Sequence, residues 1–577
     1  MLFYDFEVFK HDWLVVIYDS SKQKWFKIWN SEDLLTKFYN ENSNQIWIGF
    51  NNRHYDQYIL KGIILGMNPK SINDRIIQNG ENGWRVVPKG RSIRMINFDV
   101  MVRGEGGLKS LEGMMGHNIY ESNIPFDIER KLTPEEMRET EKYCRNDVKE
   151  TMEIFYTRVE DFNAEFELIK LYNLPFDYFG KTKVQLSAMI LNAHKHKYDD
   201  EFDITIPTNL DIVKYKHVVK WFESEESKHY TDNKYKCEVA GVPHIFAWGG
   251  VHGAIEKYHG KGCFLNMDVA SLYPNLMINY NLYSRSCDAS KFKDIVDLRL
   301  KYKAEKNPIQ KALKIVINGT YGAMKDKNNA LYDPLMANNV CVHGQLLMLD
   351  LMEHLEPYCE IIQSNTDGVL VKLKNFDSDY DKIDDIAYEW EQRTGLVLEF
   401  DTYVEVYQKD VNNYVVIDHD RNYKSKGGYV KKLNKLDYDL PIVNEAIINY
   451  MKDKKPVTKT IMECSDLKKF QMIRKISGKY EHIKHGNEIL NVKCIRCFAL
   501  KNTTGEDKSL KKLHKKKQKY EKIAGTPNNS FLILDNLENH IIIDYINKLN
   551  FSWYIKLAKS RLKDFGIEVI EWKNTYI

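Results

Sequence analysis

The sequence lacks the apolar run of ~18 residues that a membrane-spanning helix needs, and its mean hydropathy of −0.50 agrees. A secretory start is missing too. Met1-Leu2-Phe3-Tyr4-Asp5-Phe6-Glu7 carries two carboxylates where a signal peptide has a basic start and an apolar run, so the expected location is the cytoplasm of the host cell. Neither charge sign is in excess: Lys+Arg 84 less Asp+Glu 81 leaves +3, so affinity for a polyanion must come from a local patch. Cysteine is scarce. The nine are an odd number and mostly isolated (Cys144, Cys237, Cys263, Cys287, Cys341, Cys359, Cys464), which excludes a disulfide framework and reads as reduced core residues. His482-x-x-His485 with Cys494-x-x-Cys497 has four residues of zinc-ligand type, but the histidine spacing is short and Cys494 to Leu500 alternates like a strand, so zinc is set aside.

What is present describes a folded chain. Hydrophobic residues at 43%, aromatic at 12% and charged at 29% exclude a disordered or fibrous protein. A length of 577 residues is enough for about three to five domains. Leu2–Phe9, Trp13–Tyr18 and Gln45–Phe50 have β composition. Thr133-Pro134-Glu135-Glu136 opens a helical pattern to Phe155, with proline at the first helical position. An apolar strand, Cys263–Met267, leads into Asp268; Gln310–Val316 has the spacing of a short helix; Glu360–Leu373 reads as two strands joined at Asn365-Thr366-Asp367-Gly368. Between Lys508 and Lys522 lies the basic patch that the net charge conceals, either a solvated helix face or a phosphate-binding segment.

Two sets of carboxylates carry chemistry. Asp5-x-Glu7 on the opening strand puts both acids on one face, because side chains alternate with period two. Asn52-x-x-Tyr55-Asp56 follows another strand, and Tyr143-x-x-x-Asp147 stacks on one helix face. Four carboxylates from separate elements suit hard divalent cations that cleave a phosphodiester. In the second set, Asp268-Val269 ends a strand, Asp367 sits in the hairpin turn, and Lys314-x-x-x-Asn318-Gly319-x-Tyr321-Gly322 lies on one helical face, preceded by Arg299 and Lys303 at the same spacing. Acids for Mg²⁺ beside rows of cations suit a nucleoside triphosphate.

At these residues the sequence resembles the family B DNA polymerases, above all the small phage-encoded members that begin with a proofreading exonuclease. The resemblance covers nearly the whole chain. It implies an α+β multidomain fold, in which an RNase H-like α/β exonuclease domain precedes a right-hand polymerase of palm, fingers and thumb. Asp5, Glu7, Asp56 and Asp147 would be metal-binding acids of a 3′→5′ exonuclease, with Tyr143 orienting the water, and Asn52, Tyr55, Ser110 and Leu111 touching the primer end. Asp268 and Asp367, with Val269 beside them, would hold two catalytic Mg²⁺, or Mn²⁺ in their place; Tyr273 would be the steric gate against ribonucleotides. Arg299, Lys303, Lys314 and Asn318 would receive the triphosphate, with Tyr321 at the nascent base pair. Gly322, Tyr414, Lys424, Lys426 and Lys515, Lys516 and Lys517 would contact DNA.

The sequence departs from the family pattern at four places. The third polymerase motif, Tyr-x-Asp-Thr-Asp in the family, reads Gln363-Ser364-Asn365-Thr366-Asp367, which removes one negative charge. Gly319 stands where serine is usual. Asn412-Asn413-Tyr414 replaces Lys-x-Tyr, leaving Lys424 and Lys426 as substitutes for the lysine. Ala247-Trp248-Gly249-Gly250 replaces Tyr-x-Gly-Gly, moving the aromatic role to Phe246 or Trp248. The 46 residues from Asp268 to Lys314 leave room for a short helical hairpin and no large insertion, so neither protein priming nor a built-in clamp is expected.

The expected division is exonuclease 1–165, connecting segment 166–250, palm 251–285, fingers 286–320, palm 321–435 and thumb 436–577. Primer–template DNA and dNTPs are the implied partners, with phage replisome proteins beyond them and a monomer as the default state. Abundant Lys, Asn, Ile and Tyr point to the AT-rich genome of a phage or mobile element. Two other readings stand beside this one: an exonuclease whose polymerase site has decayed through Asn365, and a silent DNA-binding replisome protein.

Overall fold

The structure, a computed structural model, describes residues 1–228, 233–539 and 542–568. Parts of the expected connecting segment (229–232) and thumb (540–541 and 569–577) lie outside the described residues. The fold is mixed α/β with several sheets. It divides into two compact units, one of Met1–Lys181, Leu433–Ile442 and Glu463–Tyr554, the other of Thr182–Lys432, Val443–Met462 and Ile555–Ile577.

In the first unit a five-stranded sheet runs in the order Lys24–Trp29, Trp13–Asp19, Leu2–Val8, Ile46–Gly49, Ile96–Asp99; its first three strands are antiparallel and its last two parallel. Alternation along Leu2–Val8 sends Leu2, Tyr4, Phe6 and Val8 into one buried cluster and Phe3 into the other. Asp5 and Glu7 share the Phe3 face. That face is covered by the helix Pro134–Thr157, which starts at a capping box: the Thr133 side chain accepts from the Glu136 N–H, and the Glu136 carboxylate accepts from the Thr133 N–H. Phe155 meets Phe3 edge-on at 5.3 Å. Burying each such ring contributes about 1.5–3 kcal/mol, which fixes the helix over the acids.

The same unit holds two smaller sheets from the C-terminal region. One is Met472–Lys475, Cys494–Ala499, Ser530–Leu532; the other is Glu488–Leu490, Tyr480–His485, Leu510–His514, Lys519–Lys522. The lysine-rich run is therefore a β-hairpin and not a helix face, with Lys515, Lys516 and Lys517 exposed in its turn. Leu510 and Leu513 are its buried anchors. The zinc-type residues do not converge. Cys494 and Cys497 lie three apart on a wholly buried strand and so point to opposite faces, His482 faces the Tyr520 hydroxyl, and His485 the Ser530 carbonyl.

The second unit is built on a nine-stranded sheet: Tyr423–Lys426, Asn413–Ile417, Leu398–Asp410, Tyr258–Val269, Gly368–Leu373, Glu360–Asn365, His252–Ala254, Val242–Phe246, Tyr235–Val239. Tyr258–Val269 is longer than the apolar core from which it was read, because its partners on both sides extend it by register pairing. The short helix expected at Gln310–Val316 runs from Ile309 to Met324 and so carries Tyr321 as well; it packs on Ala289–Ala304 as a helical hairpin. Pro334–Leu355 is buried along almost its whole length, and the Trp390 indole N–H donates to its Leu347 carbonyl at 3.0 Å. Among the described residues no helix is long and apolar enough to cross a membrane.

Candidate functional site

Two clusters of chemistry-bearing residues emerge, one in each unit. In the first, Asp5 and Glu7 project from Leu2–Val8, Asp56 opens the helix Asp56–Ile64 and accepts from the Phe6 N–H at 3.2 Å, and Asp147 comes from Pro134–Thr157. Glu7, Asp56 and Asp147 are all under a tenth exposed. Ligand atoms of Asp5, Glu7 and Cys144 lie within 4.8 Å of one another, and the Cys144 thiol donates to Asp5 Oδ2 at 3.5 Å. Burial, and then the charges of Asp56 and Asp147, hold the Asp5 carboxyl well above its usual range. Glu7 is raised by burial, Asp5 and Asp147; burial pushes Asp56 up to about 7. Asp147 is raised by burial, against which Lys109 and a hydrogen bond from Tyr143 pull.

A buried set of four acids that oppose one another's ionisation is a good receptor for a hard divalent cation, which prefers carboxylate oxygen. The residues present fit such an ion.

The missing positive charge is supplied in part by a residue that sequence reading passed over. Lys109 donates to Asp147 and, at 2.9 Å, to Glu112, and it stands 4.6 Å from the Tyr143 ring centroid. Glu112 is completely buried and its carboxyl is pushed up to about 8 by burial. Of the residues expected at the primer end, Tyr55 is half-buried and donates to Asn73 Oδ1 at 2.7 Å. Asn52 has no exposed surface; its amide donates to Asn97 Oδ1 and the Phe98 carbonyl. Ser110 and Leu111 are buried, with Ser110 Oγ against Cys494 Sγ.

The second cluster surrounds a cavity of about 360 Å³ lined by Tyr273, Arg299, Lys314, Asn318, Tyr321, Thr366 and Asp367, with Ser271, Leu272, Pro274, Met277 and Ile317. Asp268 pairs with Gly368 in register, and a Cβ at Gly368 would come 1.9 Å from Asp268 Oδ1, so only glycine lets the acid sit against the hairpin. Asp367 is held next to it by Val269, whose N–H donates to the Asp367 carbonyl at 2.7 Å. Burial raises the Asp268 carboxyl, eased by an N–H of Asn266 at 2.7 Å and reinforced by Asp367 and Asp401. Asp268 and the exposed Asp367, side by side, also fit a divalent cation.

Ser271 turns the chain with φ 52°, a left-handed conformation that a residue with a Cβ adopts at a cost of about 1 kcal/mol. The turn starts Leu272–Asn279 and sets the Tyr273 ring 4.4 Å from that of Tyr321. Arg299, from the neighbouring helix, has a buried Nε with no hydrogen-bond partner among the described residues, a donor left over for a ligand. Lys303 lies one turn further along and is exposed outside the cavity lining. Gly250 is required where it stands, since a Cβ there would fall 2.3 Å from Thr366 Oγ1; Phe246 and Trp248 before it are both buried. Gly319 leaves room for Ser187 Oγ, 3.0 Å from where its Cβ would be. Gly322 is exposed at the end of its helix.

Tyr414 sits close enough to Asp268 and Asp367 for their charges, after burial, to raise its hydroxyl. Lys424 donates to Asp401 at 2.7 Å, and Lys426 pairs in register with Tyr414. Asn266, Asp401 and Lys325 were not foreseen. Asn266 shares the face of Asp268 by period two and was readable on that ground; Asp401 arrives opposite Asn266 only through strand register. Lys325 lies 5.2 Å from the Tyr321 ring centroid and donates to the Trp248 carbonyl.

No protein-family model matches the chain. Over 284 residues, 40% of this chain and 31% of the relative, it is 22% identical to DNA polymerase 1 of Sulfurisphaera ohwakuensis. Over 288 residues, 41% of this chain and 31% of the relative, it is 24% identical to DNA polymerase 1 of Saccharolobus solfataricus. The chain thus spans about a third of the length of the curated relatives it matches. A solved family B DNA polymerase from the archaeon Pyrobaculum calidifontis aligns over 99% of this chain and 78% of its own, at 14% identity and a TM-score of 0.43.

Proposed function

We propose that the chain is a DNA-directed DNA polymerase with a 3′→5′ proofreading exonuclease, of the small phage-encoded family B type. One observation carries this: Tyr273, Arg299, Lys314, Asn318, Tyr321 and Asp367, spread over the sequence, line a single cavity beside Asp268. The sequence similarity to two archaeal DNA polymerases supports the reading.

When bound, Mg²⁺ at Asp268, Asp367 and the Val269 carbonyl, and at Asp5, Glu7, Asp56 and Asp147, would neutralise phosphate charge and make an attacking oxygen more acidic. The chain's own residues do the rest. In synthesis the primer 3′-hydroxyl attacks the α-phosphate of a dNTP and pyrophosphate leaves; Arg299 and Lys314 take the triphosphate charge, with Lys303 at the entrance. Tyr273, locked against Tyr321, fills the space a 2′-hydroxyl would need. In proofreading, water attacks the terminal phosphodiester and the shortened 3′-hydroxyl leaves, with Tyr143 orienting the water from beside Asp147. Tyr55, Tyr414, Lys426 and the lysine turn 515–517 meet DNA through stacking and phosphate contacts, which position without reading sequence. The enzyme acts as a monomer on primer–template DNA in the cytoplasm of a host cell, replicating phage or mobile-element DNA.

The test is an end-labelled primer on a longer template in Mg²⁺, with and without the four dNTPs. Extension in one lane and shortening in the other is the expected result. Shortening in both lanes would favour the exonuclease with a decayed polymerase site, and no change in either would overturn both enzymatic readings.

A further inference from the structure

The helix Leu108–Met115 carries Lys109 near one end, and its other end is held by residues more than 350 positions away. Its last carbonyls face the C-terminal region of the same unit. Met114 O accepts from Gln471 Nε2 at 3.0 Å, Met115 O from Lys468 Nζ at 2.5 Å, Gly113 O from Arg496 Nη2 at 3.3 Å, and His117 O, just beyond, from Arg496 Nη2 at 2.5 Å. Arg496 itself is completely buried on the strand Cys494–Ala499, and its other donations go to the Ile533 and Asp535 carbonyls. Its charge is thus met by the negative end of a helix and by loop carbonyls.

Burial lowers the Arg496 guanidinium to about 10, so it remains charged at neutral pH. The Cys494 thiol, two residues away, touches the Lys109 carbonyl and the Ser110 hydroxyl, and Glu121 accepts from the N–H groups of Lys493 and Cys494. A buried cation whose hydrogen bonds go to backbone carbonyls, with the Asp535 carboxylate acting on it only as a nearby charge, is a costly choice for stability alone.

The geometry points to Arg496 and Lys468 as positioning residues for the hydrolytic acid cluster: through the helix Leu108–Met115 they set the placement of Lys109 against Asp147, so that the C-terminal region governs exonuclease activity. This rests on the exonuclease reading given above. Lys109 lies one helical turn from Gly113, so a rotation or slip at the carbonyl end displaces the ammonium group from Asp147 and Tyr143. An ångström-scale misplacement of such a group costs about ten- to a hundredfold in rate.

The test uses the full chain with Lys468→Ala and with Arg496→Lys. Single-turnover hydrolysis of an end-labelled single-stranded oligonucleotide is followed over a Mg²⁺ series, and primer extension is measured in an Asp5→Ala background. The expected result is hydrolysis slowed about tenfold, or half-saturating Mg²⁺ raised severalfold, with extension unchanged. In a Lys109→Met background the same substitutions should add no further loss. Hydrolysis within twofold of the wild type throughout, or an undiminished loss without Lys109, overturns the inference. Should Arg496→Lys fail to fold, Lys468→Ala, on a half-exposed side chain, decides alone. A wild type that neither hydrolyses DNA nor binds Mn²⁺ in an Asp5-dependent way overturns the exonuclease reading itself, a result distinct from active hydrolysis that the substitutions leave unmoved.

Discussion

The two acid clusters solve opposite electrostatic problems. The first gathers Asp5, Glu7, Asp56 and Asp147 in a buried site where one lysine, Lys109, is already committed to Asp147 and Glu112. It is short of positive charge until a cation enters, and the raised carboxyls record that shortage. The second has an exposed Asp367, with Asp268 beside it, facing Arg299, Lys314 and Asn318 across open space. It has cations ready and room for a ligand that brings negative charge. The difference matches the proposed division of labour: one site cuts a single phosphodiester that a strand end presents, and the other must capture a free triphosphate from solution.

The strongest way to break that comparison is to remove one acid from each side. Asp367→Ala should reduce primer extension about a thousandfold or more while leaving hydrolysis intact, and Asp5→Ala should do the reverse. Both are read in the same primer gel. If either substitution silences both activities, the two clusters are not independent sites. A smaller effect sharpens the reading of the cavity. Tyr273→Ala should raise incorporation of ribonucleotides relative to deoxyribonucleotides by about 10–100-fold, measured as a ratio of kcat/KM, because it removes the ring that closes the sugar space. An unchanged ratio would mean that Tyr273 supports Tyr321 and excludes nothing.

How much of this was legible in the sequence follows from how local each signal is. Asp5 with Glu7 and Tyr143 with Asp147 are set by strand and helix periods alone, so their faces could be read directly. The Thr133 capping box and the Asn365–Gly368 turn are likewise local. Lys109 was missed because its partner Asp147 is 38 residues away and nothing in Leu108-Lys109-Ser110 announces a buried ammonium group. The lysine run misled for a related reason. The buried positions there, Leu510 and Leu513, are three apart and show no period-two alternation, so the strand is set by its pairing with the distant Tyr480–His485, and charge density gives no period at all. Asn52 was expected only as a contact to the primer end, and its packing under Gly49 and against Asn97 depends on the parallel pairing of distant strands.

The lysine hairpin allows a milder test. Replacing Lys515, Lys516 and Lys517 with alanine should lower affinity for duplex DNA by about tenfold and flatten the slope of log K against log salt by about 2 to 3, roughly one unit for each phosphate no longer neutralised. Because the three side chains are exposed in a turn, stability should stay the same. A slope that does not change takes the hairpin off the DNA path, and the charge needed for DNA must then lie elsewhere in the chain.

The smallest expected effect lies at Asn365, where the second cluster has one negative charge fewer than the pattern it resembles. Asn365 Oδ1 accepts the Thr366 N–H at 3.1 Å and closes the two-residue turn that presents Asp367; its side chain also hydrogen-bonds His252. Aspartate at this position keeps both contacts, so Asn365→Asp changes charge and almost nothing else. One more carboxylate near Asp268 and Asp367 should hold a divalent cation more tightly by about 1 kcal/mol, lowering the half-saturating Mg²⁺ for primer extension by about fivefold. Hydrolysis, which the proposed function assigns to the other cluster, should keep its own metal dependence. A drop confined to extension would show that the second site works with a weakened cation field and relies on Arg299 and Lys314 to make up the charge. No drop would show instead that Asn365 serves the turn alone, and that its carboxylate in the family pattern lies outside the field that binds the ion.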